Sequence, residues 1–189
     1  MEGKIFGIGL MRTGTVSCAE ALRTLGYSTA HFDELKQAMG EENSWLAGDM
    51  ETDKLERFDA AFDNPIPAVY PQLDQRYPGS KFILTTREQT AWLTSCEQYL
   101  KKVPAAYEYR KLVRTAVYGM HDFNRERWEY IYRNHLANVQ EYFRDRVNDL
   151  LVIDICSGEG WDRLCPFLNQ PIPNTDFPKL NTRSNLVFK

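Results

Sequence analysis

Short apolar runs alternate along this chain with stretches whose apolar positions recur at helical spacing. The run at 81–86, Lys-Phe-Ile-Leu-Thr-Thr, is continuously apolar and β-branched, as expected of a parallel strand buried on both faces. Strands separated by helices predict βαβ units with right-handed crossovers. The expected fold class is therefore α/β, with three layers in which helices cover both faces of a parallel sheet. The predicted strands are 4–8, 27–31, 59–62, 81–86 and 150–155, and the predicted helices are 13–25, 68–77, 89–100, 105–118, 122–144 and 161–168.

Two segments depart from this alternation. Residues 33–58 are acidic and are interrupted by Gly40 and Gly48, which predicts short helices and loops. The negative charge of the longer stretch 33–63 is interpreted as a solvated surface, and the alternative is a lid that favours a neutral or cationic ligand. The tail from Pro171 is proline-rich and irregular. The length of 189 residues predicts one domain over 1–189.

Composition narrows the classes of function. The net charge of −3 and the lack of a basic stripe give no support to a nucleic-acid partner. No apolar run reaches about 18 residues, so no membrane association is expected, and no signal peptide is recognisable. The four cysteines form no C-x-x-C pair and do not combine with histidines at zinc-ligand spacing. We therefore expect reduced thiols, a cytoplasmic location and no metal.

The segment 4–17 carries the most informative motif. A strand leads into a turn in which Gly9 and Gly14 have the G-x4-G spacing of a phosphate-binding loop. Such a loop and the following helix N-terminus bind anions through backbone N–H groups. Thr15-Val16 stands where a nucleotide hydrolase carries Lys-Ser/Thr, and the loop cation is Arg12 instead. The pattern indicates a phosphate or sulfate ester held without the ATP–Mg²⁺ arrangement, and the alternative is an ordinary βα turn without a ligand.

A second pair of residues follows the 81–86 strand. Arg87 comes directly after that strand, and Ser95 lies eight residues later, two turns into the predicted helix. An arginine and a serine so placed can bind one phosphate from two sides, the arginine through charged hydrogen bonds. Alternatively, Arg87 pairs with Glu88 or another carboxylate and Ser95 is a small helix residue.

Together these motifs resemble those of the sulfotransferase superfamily, in its bacterial-type branch. That family uses 3′-phosphoadenosine 5′-phosphosulfate (PAPS) and carries a Lys/Arg-Ser/Thr-Gly-Thr loop after its first strand, which residues 12–15 match. The family's second signature, an arginine followed eight residues on by a serine, is matched by Arg87 and Ser95. The resemblance continues through 132–139, 150–154, 160–168 and 177–181.

The resemblance implies a P-loop α/β domain of the sulfotransferase and nucleotide-kinase type. It implies metal-independent, in-line transfer of a sulfuryl group from PAPS to a hydroxyl or amine of a small-molecule acceptor, leaving 3′,5′-adenosine bisphosphate (PAP). Val16 replaces a threonine common in the family, and Ser17 stands where many members have a tryptophan beside the adenine. The implied cofactor-binding residues are Arg12, Thr13, Gly14, Thr15, Val16, Ser17, Arg87, Ser95 and Arg183.

The implied catalytic residues are Arg12, Asp63 and His31. Arg12 is assigned to the charge on the transferred group, and Asp63 and His31 are two candidates for the base that activates the acceptor. Both lie at the carboxyl ends of predicted strands, and we slightly favour Asp63, with His31 second or as a substrate contact. Alternatively, Asp63 caps the helix after Pro65 and His31 is a loop residue.

Two other functions compete with sulfuryl transfer. A small-molecule kinase would need a lysine after Gly14, which is absent, and an acidic Mg²⁺ ligand at a strand end. A non-catalytic nucleotide-binding module would not need both phosphate-binding motifs intact. The acceptor pocket is expected to involve 33–58 and 100–125, whereas the acceptor itself and the oligomeric state are not predicted.

Overall fold

The computed structural model describes residues 3–32, 34–35, 55–103 and 108–180. Within them, five parallel strands form one sheet in the order β2-β3-β1-β4-β5. The central strand aligns Phe6 with Ala61 on one side and with Phe82 on the other. This arrangement confirms the α/β class with a parallel sheet. The strands are β1 (Ile5–Gly7), β2 (Thr29–Ala30), β3 (Ala60–Phe62), β4 (Lys81–Thr85) and β5 (Leu150–Ile153).

Six α-helices of the described chain follow the predicted ones, with ends that differ by a few residues. The first begins at Thr15 rather than at 13, because Thr13 and Gly14 belong to the preceding loop. It ends, as predicted, before Gly26, which has a φ of 93°. The Gly26 and Tyr27 amides donate back to the carbonyls of Arg23 and Leu22, as in a Schellman motif. The helices are α1 (Thr15–Thr24), α2 (Ile66–Arg76), α3 (Gln89–Lys102), α4 (Glu108–Tyr118), α5 (Arg125–Tyr142) and α6 (Trp161–Phe167).

Alternate strand residues supply two cores, one on each face of the sheet. Phe6 and Phe82 pack with the apolar sides of α2, α4 and α5. Ile5 and Ile83 point to the other face and pack with α1 and α6. Burial on both faces explains why the strands read as continuous apolar runs rather than as alternating ones.

A third apolar cluster supports the turn after β1. The rings of Tyr118 and Trp128 stack in parallel with centroids 4.3 Å apart, and those of Trp92 and Tyr132 lie 4.5 Å apart. Met11, from the turn itself, belongs to the same cluster. The turn therefore rests on packed aromatic side chains from α3, α4 and α5.

The strand order creates a crevice at the carboxyl edge of the sheet. Strands β2 and β3 lie on one side of the central strand β1, and β4 and β5 lie on its other side. The connection that leaves β1 therefore runs to one side of the sheet, and the connection that leaves β4 runs to the other. Parallel sheets bind ligands where connections diverge in this way. The turn with Arg12 and the turn with Arg87 flank this crevice.

Part of the sequence predictions concerns residues outside this description. Most of the acidic segment 33–58 and the candidate residue Arg183 lie there. Among the described helices, none combines the length and apolar character needed to cross a membrane.

Candidate functional site

The turn after β1 is held by buried hydrogen bonds. Thr13 is fully buried, and its hydroxyl donates to the Leu10 carbonyl at 2.6 Å and lies 2.6 Å from the Thr85 hydroxyl. Gly9 allows this approach, because a Cβ there would stand 1.9 Å from the same Thr85 oxygen. The Thr13 hydroxyl thus stabilises the turn, and only the backbone of Thr13 remains for a ligand.

Met11 is fixed through both of its backbone polar groups. Its N–H donates to the Tyr118 hydroxyl at 3.0 Å, and its carbonyl accepts from the Trp92 indole at 2.8 Å. The turn is therefore tied to α3 and α4 directly on the N-terminal side of Arg12.

The beginning of α1 offers several backbone donors. Gly14 has a φ of 97°, and the first bond of the helix runs from the Cys18 amide to the Gly14 carbonyl at 3.0 Å. The amides of Thr15, Val16 and Ser17 consequently have no acceptor within the helix. The first turn of α1 contains no acidic residue. Together with the helix dipole, these donors suit a phosphate or sulfate group.

Arg12, Arg87 and Ser95 come together beside this helix end. Arg12 has a φ of 67°, and its Nε donates to the Ser95 hydroxyl at 3.1 Å. Its guanidinium lies 5.2 Å from the centre of the Tyr99 ring. Arg87 donates from Nη1 to the Arg12 carbonyl at 3.2 Å. The two sequence motifs thus form one cationic site.

Glu88 does not neutralise Arg87. Its carboxylate caps α3 by accepting the Thr90 and Ala91 amides, each at 2.7 Å. These backbone hydrogen bonds lower the pKa of Glu88, with a smaller contribution from Arg87. Arg87 therefore does not form the ion pair with Glu88 that was one part of its alternative, although its charge still acts on that carboxylate.

Tyr132 positions Arg87, a role that sequence reasoning missed. Its hydroxyl accepts the Arg87 N–H at 3.0 Å and also donates to the Arg87 carbonyl. Burial raises the pKa of Tyr132 and so keeps the donating proton on the phenol. The sequence offered only an aromatic residue at a core position of a helix, which does not distinguish packing from positioning.

The candidate bases Asp63 and His31 form a pair. His31 Nδ1 lies 3.6 Å from an oxygen of Asp63, at the adjacent ends of β2 and β3. Asp63 has a φ of 79°, and its other oxygen accepts the Asn64 amide at 2.7 Å. The N-terminus of α2 has no side-chain cap, so Asp63 does not play the capping role considered as its alternative. His31 Nε2 is buried and has no hydrogen-bond partner in the described chain.

A cavity of about 290 Å³ connects this pair with the cationic turn. Its walls come from the turn, the start of α1, the ends of β2 and β3, and helices α3 and α4. Sequence reasoning placed Arg12, Thr15, Val16, His31 and Asp63 in the site, and all of them line the cavity. The other lining residues are Met11, Phe32, Asn64, Tyr99, Arg110, Val113 and Arg114.

Two further implied cofactor residues, Ser17 and Arg183, belong to the first turn of α1 and to the tail of the chain. The Ser17 hydroxyl accepts the Leu180 amide at 2.9 Å, so the tail returns to the first turn of α1. Arg183, three residues further on, lies outside the described residues. No group of three metal-binding side chains occurs in the part of the chain that the structure describes.

Comparisons with known proteins define the class. The family model of the sulfotransferase domain matches residues 4–186, nearly the whole chain. The chain therefore belongs to the sulfotransferase domain family, which supports a transferase activity.

Individual relatives are distant. Ava biosynthesis cluster protein M of Aspergillus versicolor is 24% identical over 221 residues, which cover 97% of this chain and 83% of that protein. The crystal structure of a sulfotransferase from Alicyclobacillus acidocaldarius superposes with a TM-score of 0.56 at 14% identity, covering 97% of this chain and 86% of that one. The sulfotransferase domain from the curacin biosynthetic pathway gives a TM-score of 0.53 at 16% identity, covering 92% and 76%. These two structures share the fold of this chain.

Proposed function

We propose that this sulfotransferase uses PAPS as its donor and transfers the sulfuryl group to a hydroxyl or amine of a small-molecule acceptor. The observation that carries the proposal is the convergence of Arg12, Arg87 and Ser95 beside the unpaired amides of α1. These groups supply positive charge and N–H donors for two anionic groups on one ligand. PAPS has its phosphosulfate and its 3′-phosphate as two such groups.

We assign the phosphosulfate to Arg12 and to the backbone amides of Thr13, Gly14 and Thr15. An in-line transfer requires the acceptor and leaving oxygens to be held on opposite sides of the transferred group, with its charge stabilised. The Arg12 guanidinium and the amides of the loop and α1 are fixed before the reaction, so they need little reorganisation. A leaving phosphate stabilised in this way needs no metal, in keeping with the family resemblance.

We assign the 3′-phosphate to Arg87 and Ser95. Tyr132 fixes the backbone of Arg87 on both sides of its Cα, which limits the positions its guanidinium can reach. Val16 and Ser17 complete the first turn of α1, and Arg183 is proposed as a further ligand from the tail.

We propose His31 as the base and Asp63 as its positioning partner, which reverses the slight preference for Asp63 in the sequence analysis. Asp63 faces Nδ1, so the neutral imidazole keeps its proton there and Nε2 carries the lone pair. Nε2 has no partner in the described chain and belongs to a side chain that lines the cavity. The 3.6 Å separation exceeds a hydrogen bond, and such contacts often tighten when substrates bind.

Calorimetric titration with PAP tests the donor assignment. We expect wild-type protein to bind PAP with a Kd in the micromolar range, and Arg87→Ala to bind at least about tenfold more weakly, because a charged hydrogen bond is lost. Arg144→Ala is the matched control. Arg144 is exposed, pairs with Glu141 and precedes β5, at the opposite edge of the sheet.

Two outcomes would contradict this assignment. Equal affinity of wild type and Arg87→Ala for PAP would remove Arg87 from the site. Binding of ATP–Mg²⁺ with no binding of PAP would favour the kinase alternative.

We also propose that residues 1–189 form one domain, since a single family model matches residues 4–186.

A further inference from the structure

Helix α4 contributes two arginines to the cavity that the transfer of a sulfuryl group does not use. Arg114 is only 5% exposed, and its Nη2 donates to the Val103 carbonyl at 3.0 Å. Burial lowers the pKa of Arg114, because it penalises the charged form, yet an arginine stays protonated in proteins. Arg110 lies one helical turn earlier, with its guanidinium 5.4 Å from the centre of the Phe32 ring. Both side chains therefore bring positive charge to the cavity wall.

The described cavity lining contains little negative charge to balance them. Three arginines line it, namely Arg12, Arg110 and Arg114, against the single carboxylate of Asp63. That carboxylate is already engaged by His31 and by the Asn64 amide. Within residues 3–32, 34–35, 55–103 and 108–180, no carboxylate lies within 4.0 Å of either α4 arginine. Among the described lining residues, positive charge therefore exceeds negative charge.

The proposed donor accounts for the charge of Arg12 but not for that of the two α4 arginines. Its proposed ligands are the turn after β1, the start of α1, and the pair Arg87 and Ser95. Neither Arg87 nor Ser95 lines the cavity, whereas the proposed base His31 does. The α4 arginines thus share a cavity with the base, where the acceptor must lie.

We propose that Arg110 and Arg114 bind an oxyanion of the acceptor, so that the acceptors of this enzyme are hydroxylated acids. The proposal rests on the sulfotransferase function argued above. A guanidinium presents a planar set of N–H donors that matches the oxygens of a carboxylate or a phosphate. Partial burial strengthens the pairing because water screens it less. The acceptor would be held at its acidic end by α4, with its hydroxyl directed to His31.

Binding of matched probes in the presence of saturating PAP tests whether the protein prefers acceptors that carry an oxyanion. The probes are 4-hydroxyphenylacetate, its neutral amide 4-hydroxyphenylacetamide, the cation tyramine, and 4-hydroxybenzylphosphonate as a tetrahedral oxyanion. A phenyl ring suits a cavity that Phe32 and Tyr99 also line. Comparison of the carboxylate with the phosphonate distinguishes the two kinds of oxyanion.

We expect wild-type protein to bind an oxyanion probe at least about tenfold more tightly than the amide or the amine. Arg110→Gln and Arg114→Met should each reduce that ratio about fivefold or more. Arg110 is the safer substitution if the buried Arg114 is needed for folding. Lys111→Gln, on the same helix and outside the cavity lining, removes the same charge and should leave the ratio unchanged.

Three results would overturn the proposal. They are equal or tighter binding of the amide or the amine, an oxyanion preference that survives both arginine substitutions, and no binding of either oxyanion probe at about 10 mM, which corresponds to a negligible affinity.

A PAP titration on the same samples separates the two hypotheses. If PAP binds and the preference is absent, only the acceptor class is wrong. If PAP does not bind, the donor assignment has failed, and the probes titrated without PAP still decide the role of the arginines.

Discussion

Replacing Tyr118 by phenylalanine should both destabilise the protein and loosen the turn after β1. The substitution removes one oxygen and keeps the ring, which is fully buried and stacks on Trp128 at 4.3 Å. That oxygen accepts the Met11 amide at 3.0 Å. The variant therefore leaves a buried N–H group without its partner, next to Arg12 in the turn.

The expected magnitude follows from that lost acceptor. A buried donor left without an acceptor costs about 1–3 kcal/mol of the free energy of unfolding. For a chain of this size, such a loss lowers the melting temperature by roughly 2–12 °C. No large cavity adds to this cost, because the phenyl ring fills the same space apart from the hydroxyl. Since the Met11 amide positions the turn, the affinity for PAP should decrease as well.

Urea denaturation followed by tryptophan fluorescence measures the first effect, and calorimetric titration of PAP the second. Tyr130→Phe is the matched control, because Tyr130 is 50% exposed and should change stability by less than about 0.5 kcal/mol. A Tyr118→Phe variant as stable as Tyr130→Phe would refute the reasoning that this hydroxyl holds the turn.

Two further substitutions test the neighbourhood of the turn. Gly9→Ala would place a Cβ 1.9 Å from the Thr85 hydroxyl, so we expect a loss of about 1–3 kcal/mol or more in the same denaturation assay, and wild-type stability would contradict the close approach. Burial lowers the pKa of His135 below its ordinary value near 6.5, and the hydrogen bond to the Ile8 carbonyl, which raises the pKa, only partly opposes this shift. The unfolded chain then binds a proton that the folded chain does not, so this contribution to stability is complete above about pH 6.5 and is lost as the pH falls toward the lowered pKa. Between pH 7 and 5, the free energy of unfolding should therefore decline less for His135→Gln than for wild type. Equal declines in the two proteins would contradict a lowered pKa of His135.

The sequence was most informative where backbone geometry demands particular residues. Gly26 marked the end of α1, because a left-handed C′ position favours glycine. The apolar run at 81–86, which contains β4, indicated a strand buried on both faces, and Arg87 directly after that run was thereby placed at the carboxyl edge of the sheet. Local signals of this kind do not depend on distant parts of the chain.

Other features of the site arise only from tertiary packing. The strand order brings β2 beside β3, and this alone makes Asp63 and His31 neighbours rather than alternatives. The approach of Arg110 and Arg114 to the cavity depends on how α4 packs, and its helical spacing does not specify a neighbour. The start of α2 at Ile66, two residues before its predicted beginning, reflects Pro67, which is compatible with a first helical turn.

The contacts among Arg12, Ser95 and Arg87 have a consequence for how this site can change in evolution. Arg12 donates to Ser95, and Arg87 donates to the Arg12 backbone, so the two motifs touch although more than 70 positions separate them in sequence. Substitutions at residues in contact are generally not additive. A change in one motif alters the surroundings of the other, so we expect the effects of substitutions at Arg12 and Ser95 on the site to be non-additive. We therefore expect viable changes at positions 12, 87 and 95 to occur together rather than singly, because each of these residues forms part of the surroundings of another.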